Sequence, residues 1–373
     1  MRVCVYATPA IIDRAGIGRF SRMVLTYLQD VAPEIEFIYY YYYFPLKNRG
    51  KRLAIERPNV RELFLPMPSR VFERVLLHFG MNHSLFYGKS DIFYSPDLKF
   101  PEVGDEIVIN TIHDLCFMRF RDFFSQGMLS GLEKDIKKAI IRADHFITVS
   151  ESTKRDFMEY FGISDERISV VYAGFEISDV EELESGLGDK GVCVDGDYIL
   201  SVGTLNPRKN YEGLIKAYNI LLDRGYALRL VIAGRKGWMN EGVFSTIEEL
   251  GLMDNVSIFT ELNDENIAGL YRNAKLFVYP SFCEGFGLPP LEASAYNVPV
   301  ACSGVSSLPE VMGDSALYFD PHNPEDIADK MEKLIVDSDL RAEMICRERE
   351  NLKRFSWKKT ATKIVKVFKE VYG

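Results

Sequence analysis

The feature that most constrains this chain is an alternation of short apolar runs with helical stretches, repeated in both halves. In the first half, strands read near residues 2–8, 35–43, 91–95, 107–112, 144–149 and 168–172, with helices near 18–31, 70–82, 127–142 and 151–161. A second series has strands near 198–202, 228–233, 256–260, 275–279, 298–302 and 316–319. Its helices fall near 211–223, 264–272, 288–296, 324–336 and 339–352. Such alternation implies parallel sheets covered by helices on both faces. The expected class is therefore α/β with two Rossmann-like parallel-sheet domains, which suits a length of 373 residues. Ligands bind such sheets beyond the carboxyl ends of the strands. The division reads as a domain over 1–176, an acidic, glycine-containing linker over 177–197, a second domain over 198–355 and a terminal helix over 356–373.

Two strand–turn–helix segments carry the chemistry. In the first, the strand Ala274 to Pro280 runs into a turn where Gly285 and Gly287 flank Phe286. Leu288, Pro289 and Pro290 then open a helix. Glycine lets the backbone reach φ > 0 and approach a ligand closely, and proline is tolerated where a helix begins. A helix start of this kind offers N–H groups to an anion. Yet two carboxylates frame the segment, Glu284 and Glu292, with seven residues between them. A carboxylate only accepts hydrogen bonds, so sugar hydroxyls are its natural partners. Taken alone, the turn is equally well read as a structural one. The second segment, Tyr198 to Leu221, has a turn with Gly203, Thr204, Arg208, Lys209 and Asn210. Adjacent cations at a helix start suit a diphosphate; alone they read as a solvated basic turn. Together the two segments make a two-walled site for a nucleoside diphosphate bearing a sugar.

Several stretches then resemble one family, the retaining glycosyltransferases of the GT-B fold in family 4, also called group 1 glycosyltransferases. They are GIGRF (16–20), IHDL (112–115), VGTLNPRKN (202–210), EGFGLPPLE (284–292) and VSSLPEVMGDSALYFDP (305–321). The resemblance implies two domains facing an interdomain cleft, with sugar transferred from a nucleotide donor to an acceptor hydroxyl with retention. It implies that Arg208 and Lys209 stabilise the departing phosphate, helped by backbone N–H groups of Phe286, Gly287 and Leu288 and of the loop from Gly16 to Gly18. It also implies that Glu292 accepts from the ribose and Glu284 from the donor sugar. His113, at a strand end beside Asp114, would meet the donor's 6-hydroxyl or position the acceptor. Gly203, Thr204 and Asn210 complete the donor-binding set. The motifs are most similar to a mannosyltransferase-like branch, so GDP-mannose is the first expected donor and UDP-glucose the second, with a glycan or lipid-linked acceptor. A non-catalytic sugar-nucleotide-binding or scaffold protein of the same fold is the competing reading. Two departures from the family stand out: Tyr296-Asn297-Val298-Pro299 where Cys-Gly often precedes a Thr-Pro-Val strand, and Asn206 where an acid is frequent.

The remaining features bound the class. No metal site or cofactor is expected, since no Asp-x-Asp motif has strand context. The dinucleotide fingerprint lacks its third glycine at Ser21. With a net charge of −9 no nucleic-acid partner is expected. Against that balance, residues 45–90 hold nine Lys/Arg and three acids together with apolar side chains. Residues 45–83 therefore suit either peripheral contact with an anionic membrane face or an ordinary helix packed on the core. No run is long and apolar enough to span a bilayer, and a cytoplasmic protein is expected. The six dispersed cysteines read as free thiols, with Cys283 a packing residue. The tyrosine-rich run Phe37 to Phe44 reads as a strand.

Overall fold

Both halves of the chain build an all-parallel sheet, and parallel neighbours must be joined by crossovers that lay helices over the faces. The computed structural model describes residues 1–12, 16–42, 52–65, 76, 78–176 and 194–373. These form two compact units. Met1–Leu115, Gln126–Gly174 and Phe355–Gly373 make the first, and Cys116–Ser125 with Phe175–Arg354 the second.

The strands of the first unit are β1 (Arg2–Tyr6), β2 (Glu36–Tyr42), β3 (Val60–Leu65), β4 (Ile92–Ser95), β5 (Ile107–Ile112), β6 (His145–Thr148) and β7 (Ile168–Val170). Their order is β3-β2-β1-β4-β5-β6-β7, with every pairing parallel. Strand order reverses direction between β1 and β4, which opens a crevice at their carboxyl ends. The tyrosines of β2 are core residues on both faces. The Tyr39 hydroxyl donates to Leu25 O at 2.7 Å and Gln29 Oε1 at 2.8 Å, and Tyr41 donates to Glu62 at 2.7 Å. The helix Trp357–Tyr372 belongs to this unit and buries Trp357, Ile364, Val365 and Phe368. Gly174 makes room for it, because a Cβ there would lie 2.4 Å from the Trp357 nitrogen.

The second unit contains β8 (Tyr198–Val202), β9 (Arg229–Ala233), β10 (Val256–Phe259), β11 (Leu276–Tyr279), β12 (Val300–Ser303) and β13 (Leu317–Phe319). The order is β10-β9-β8-β11-β12-β13, again all parallel. Here the reversal lies between β8 and β11. Helices Tyr211–Asp223 and Pro324–Val336 bury Leu214, Leu221, Ile327 and Met331 with Ile199, Leu230 and Val278 of the sheet. Each such side chain contributes about 1.5–3 kcal/mol on burial.

The α/β parallel architecture agrees with the sequence reading, and every strand read from the sequence is present. β3 and the helix Glu241–Glu249 are additional. Much of the basic 45–83 segment, namely 45–51, 66–75 and 77, lies outside the described residues. So does residues 177–193 of the expected linker. The expectation that all six cysteines are free thiols is overturned. Cys116 and Cys283 are joined in a disulfide with Cα atoms 5.9 Å apart, so they are not free thiols. The two lie 167 residues apart in the chain, and only the tertiary fold brings them within bonding reach. Cys4, Cys302 and Cys346 are free.

Candidate functional site

The crevice at the carboxyl ends of β8 and β11 is where the two sequence segments meet. β8 ends at Val202 and is followed by Gly203. The Gly203 N–H donates to Ala233 O at 2.9 Å, and its carbonyl accepts from the Tyr211 hydroxyl at 2.9 Å. Space is tight: a Cβ on Gly203 would lie 3.0 Å from the Tyr211 hydroxyl, and one on Gly234 only 1.9 Å from Gly203 O. Thr204 follows, half-buried. Pro207–Lys209 then forms one 3-10 turn that presents Arg208 and Lys209 from successive positions. Asn210 ends it in the left-handed conformation (φ 55°), which asparagine adopts more readily than most residues. Its side chain caps the next helix by accepting from Gly213 N at 3.3 Å. It also donates to Pro280 O at 3.2 Å and Pro321 O at 2.7 Å. Asn210 thus ties the turn to the end of β11 and to the chain beyond β13.

From the other side, the chain leaves β11 at Tyr279 and delivers Glu284 into the same place. One oxygen, Glu284 Oε1, lies 2.7 Å from Arg208 Nη1 and 2.6 Å from Lys209 Nζ. Lys209 Nζ also contacts the Tyr279 hydroxyl and sits 4.6 Å over the Tyr279 ring. Arg208 Nη1 donates to Cys283 O at 2.5 Å as well. All three charged groups are largely buried, Glu284 at 8% and Lys209 at 7% exposure. Burial works against the Glu284 carboxylate, but the charges and hydrogen bonds of Arg208 and Lys209 outweigh it, and the carboxyl is held down to about 2. Burial, reinforced by Glu284, pushes the Tyr279 hydroxyl well above its usual range.

The turn that carries Glu284 is braced by two serines that the sequence reading did not single out. Ser306 Oγ accepts from Glu284 N at 2.9 Å. Ser307 Oγ reaches Glu284 O at 2.9 Å and Phe286 O at 3.0 Å. Serines in a Val-Ser-Ser-Leu stretch carry no signal of their own; only the tertiary fold gives them this task. Gly287, at φ 99°, sits where a Cβ would come 2.6 Å from Leu308 Cδ2, and it leads into the helix Leu288–Ala295. Phe286 is buried. Glu292, on that helix, accepts from the Tyr271 hydroxyl at 2.9 Å.

The remaining expected residues belong to the first unit. His113 follows β5, and its Nε2 lies 2.8 Å from Pro96 O, beyond β4. A carbonyl only accepts, so Nε2 carries the proton and Nδ1 of the neutral ring is an acceptor. Phe20 packs edge-to-face on the imidazole at 5.0 Å. Gly16 and Gly18 lie within the first turn of the helix Gly16–Val31 rather than in a loop before it; Gly16 is exposed and Gly18 buried. Among the described residues, no group of three or more His, Cys, Asp or Glu side chains is arranged to hold a metal ion. No helix of the described residues is long and apolar enough to cross a membrane.

Comparison with known proteins places this geometry in context. Residues 190–351 match the family described as glycosyl transferases group 1, and residues 19–179 match glycosyltransferase family 4. The chain is 28% identical to the O-antigen chain mannosyltransferase B of Escherichia coli, over 99% of this chain and 100% of that protein. It is 36% identical to the serotype-specific mannosyltransferase WbdA of Escherichia coli, over 59% of this chain but 28% of that longer protein. Among solved structures, sucrose-phosphate synthase from Thermosynechococcus elongatus superposes with a TM-score of 0.76 at 17% identity, covering 100% of this chain and 99% of that one. Anabaena HepE, solved with UDP and glucose, gives 0.73 at 17% identity over 99% of each chain. These structural likenesses concern the GT-B fold.

Proposed function

Because the chain belongs to the group 1, family 4 glycosyltransferases, we propose that it moves a hexose from a nucleoside-diphosphate sugar to a glycan or lipid-linked acceptor, with retention at the anomeric carbon and without a metal ion. GDP-mannose is the first donor on this reading and UDP-glucose the second. The product is part of a surface polysaccharide, in line with the O-antigen mannosyltransferases that the chain resembles. The observation that carries the reading is the buried Arg208–Lys209–Glu284 cluster at the β8/β11 reversal.

Transfer leaves negative charge on the departing diphosphate. Two cations fixed in a poorly hydrated site stabilise that charge without reorganising when it appears. Glu284 holds them in place, and a sugar hydroxyl that donates to its carboxylate would share the same oxygens. N–H groups at the start of the helix Leu288–Ala295 add to the anion site. Glu292, steadied by Tyr271, takes the ribose hydroxyls. Gly16, Gly18 and His113 serve from the first unit, His113 through its Nδ1 acceptor. Gly203 and Thr204 let the donor approach β8 closely, and Asn210 shapes the turn that carries the cations. Peripheral membrane contact through residues 45–83 remains part of this proposal on sequence grounds, as does a cytoplasmic location, although the Cys116–Cys283 disulfide removes the free-thiol argument for it.

The test is nucleotide release from a panel of GDP- and UDP-sugars supplied with a glycan acceptor. Lys209→Ala is expected to lower transfer by about 10²–10³-fold, the usual cost of removing a group that stabilises transition-state charge. Unchanged turnover in that variant would remove the leaving-group role. Binding of donors without release or transfer from any of them would favour the non-catalytic, scaffold reading instead.

A further inference from the structure

A cavity in the second unit lies against the Asn206–Asn210 turn. It measures about 300 Å³, and Phe123, Asn206, Glu212, Lys216, Phe282 and His322 are among the residues that line it. Arg208, Lys209 and Glu284 are not among them, although Asn210, which shapes the turn carrying the cations, is. The cavity is therefore distinct from the cation–carboxylate cluster, although both use the same short turn.

Phe123, Phe282 and His322 line the cavity and belong to a row of neighbouring aromatic rings. Phe120 and Phe123 are 5.2 Å apart with planes inclined by 1°. Phe282 lies 5.5 Å from Phe123 at 32°, and His322 lies 4.7 Å from Phe282 at 30°. Trp238 Nε1 donates to Phe123 O at 2.6 Å and helps hold the row. The disulfide also bears on it, because Phe282 adjoins Cys283 and both Phe120 and Phe123 follow Cys116 closely. The lining also has polar groups. Glu212 supplies an acceptor and Lys216 a donor, both exposed and one helical turn apart on the helix Tyr211–Asp223. Asn206 is only 3% exposed, and its Oδ1 has no hydrogen-bond partner among the described residues. An unfilled buried amide acceptor is costly, so its presence beside a cavity needs a reason; a ligand reaches it once the Asn206 side chain rotates.

Aromatic rings together with a few polar groups of both kinds match a pyranose. Its C–H face packs on aromatic rings while its hydroxyls, which donate and accept, meet the polar groups. A purely apolar ligand would leave Glu212 and Lys216 unanswered. An anion would meet Glu212. We propose that this cavity is a carbohydrate-binding subsite, separate from the donor site, that holds a hexose unit of a glycan. The assignment of that glycan as the acceptor rests on the transferase reading above.

The experiment is saturation-transfer difference NMR on the full chain with mannotetraose as probe, with and without saturating GDP or UDP. Pyranose ring-proton signals are expected, and they persist when nucleotide is present. Phe123→Ala is expected to weaken binding about fivefold, the loss of one stacked ring. Lys216→Glu, a surface change that leaves the rings in place, is expected to weaken it as well. Thermal unfolding of both variants serves as the folding control. No signal at millimolar probe, signals abolished by nucleotide, or signals unchanged in both variants would overturn the proposal. Loss on adding nucleotide would mark the cavity as a base-binding or donor-sugar site. Failure of the transferase reading is scored separately, by nucleotide release, so the two outcomes are distinguishable.

Discussion

Glu284 carries its charge in a buried place because two cations share its oxygen, and that has a definite pH consequence. Its carboxyl is held down to about 2 in the folded chain, below the ordinary carboxylate range of an unfolded one. A depressed acid contributes stability that is complete above the unfolded value and is lost as pH falls towards the folded one. The stabilisation attached to Glu284 is on the order of 3 kcal/mol at neutral pH, and it drains away between about pH 5 and pH 2. Glu284→Gln keeps the shape and removes the charge. It also leaves Arg208 and Lys209 buried and like-charged beside one another. We expect that variant to unfold at a markedly lower temperature at neutral pH and to show a shallower acid limb, as thermal unfolding across a pH series would reveal. An acid limb identical to that of the parent would mean that Glu284 is not what the cations stabilise. At this scale, residue identities were legible in the sequence but their pairing was not. Arg208 and Lys209 are 75 residues or more from Glu284, and no local pattern states that one carboxylate oxygen serves both.

Elements were more legible, for a physical reason. Strands buried on both faces are continuous apolar runs, and helices that cover them show a single apolar face; β1, β8 and β11 and the helices Tyr211–Asp223 and Pro324–Val336 all read correctly. β3 did not, because it lies at the edge of its sheet and most of its residues are only partly buried, with Arg61 and Glu62 interrupting the apolar signal. Links between elements are harder still. Glu348 sits in the helix Ser338–Leu352 and accepts from Val300 N, where β12 begins, at 3.0 Å. Its second oxygen has no hydrogen-bond partner among the described residues. Burial pushes its carboxyl well above the usual range, with the Val300 hydrogen bond opposing only in part. The sign is now reversed relative to Glu284. The folded chain keeps a proton that the unfolded chain has already lost, so stability attached to Glu348 falls as pH rises above the ordinary carboxylate range. Glu348→Gln retains an acceptor for Val300 and cannot ionise. Its expected effect is a rise in unfolding temperature of several degrees at about pH 8, with a much smaller change at about pH 4. A variant less stable than the parent at the higher pH would show that the buried acid is better satisfied than this geometry indicates.

At the scale of the whole molecule, the chain visits the second unit twice, first for Cys116–Ser125 and then for Phe175–Arg354. The short first visit has no strand of its own to hold it, and the Cys116–Cys283 disulfide anchors it across 167 residues of sequence. Closing so long a loop restricts the unfolded chain, and a native disulfide of this kind contributes about 2–4 kcal/mol. Among the described residues, two of the three free thiols offer it little competition. Burial raises the Cys4 thiol, and that of Cys302 likewise, so both stay protonated and unreactive, whereas Cys346 is exposed. Reduction is therefore expected to lower the unfolding temperature and denaturant midpoint by an amount equivalent to about 2–4 kcal/mol. Cys116→Ser in non-reducing buffer should reproduce the loss and be insensitive to reductant. The same variant should weaken sugar transfer, because Cys283 O accepts from Arg208 and adjoins Glu284. The aromatic row formed by Phe120, Phe123 and Phe282 should loosen with it and lose affinity for mannotetraose. If reduced and oxidised chains unfolded together and turned over donor equally, the first visit would be held by its ring packing alone, and the link between redox state and the site would fall.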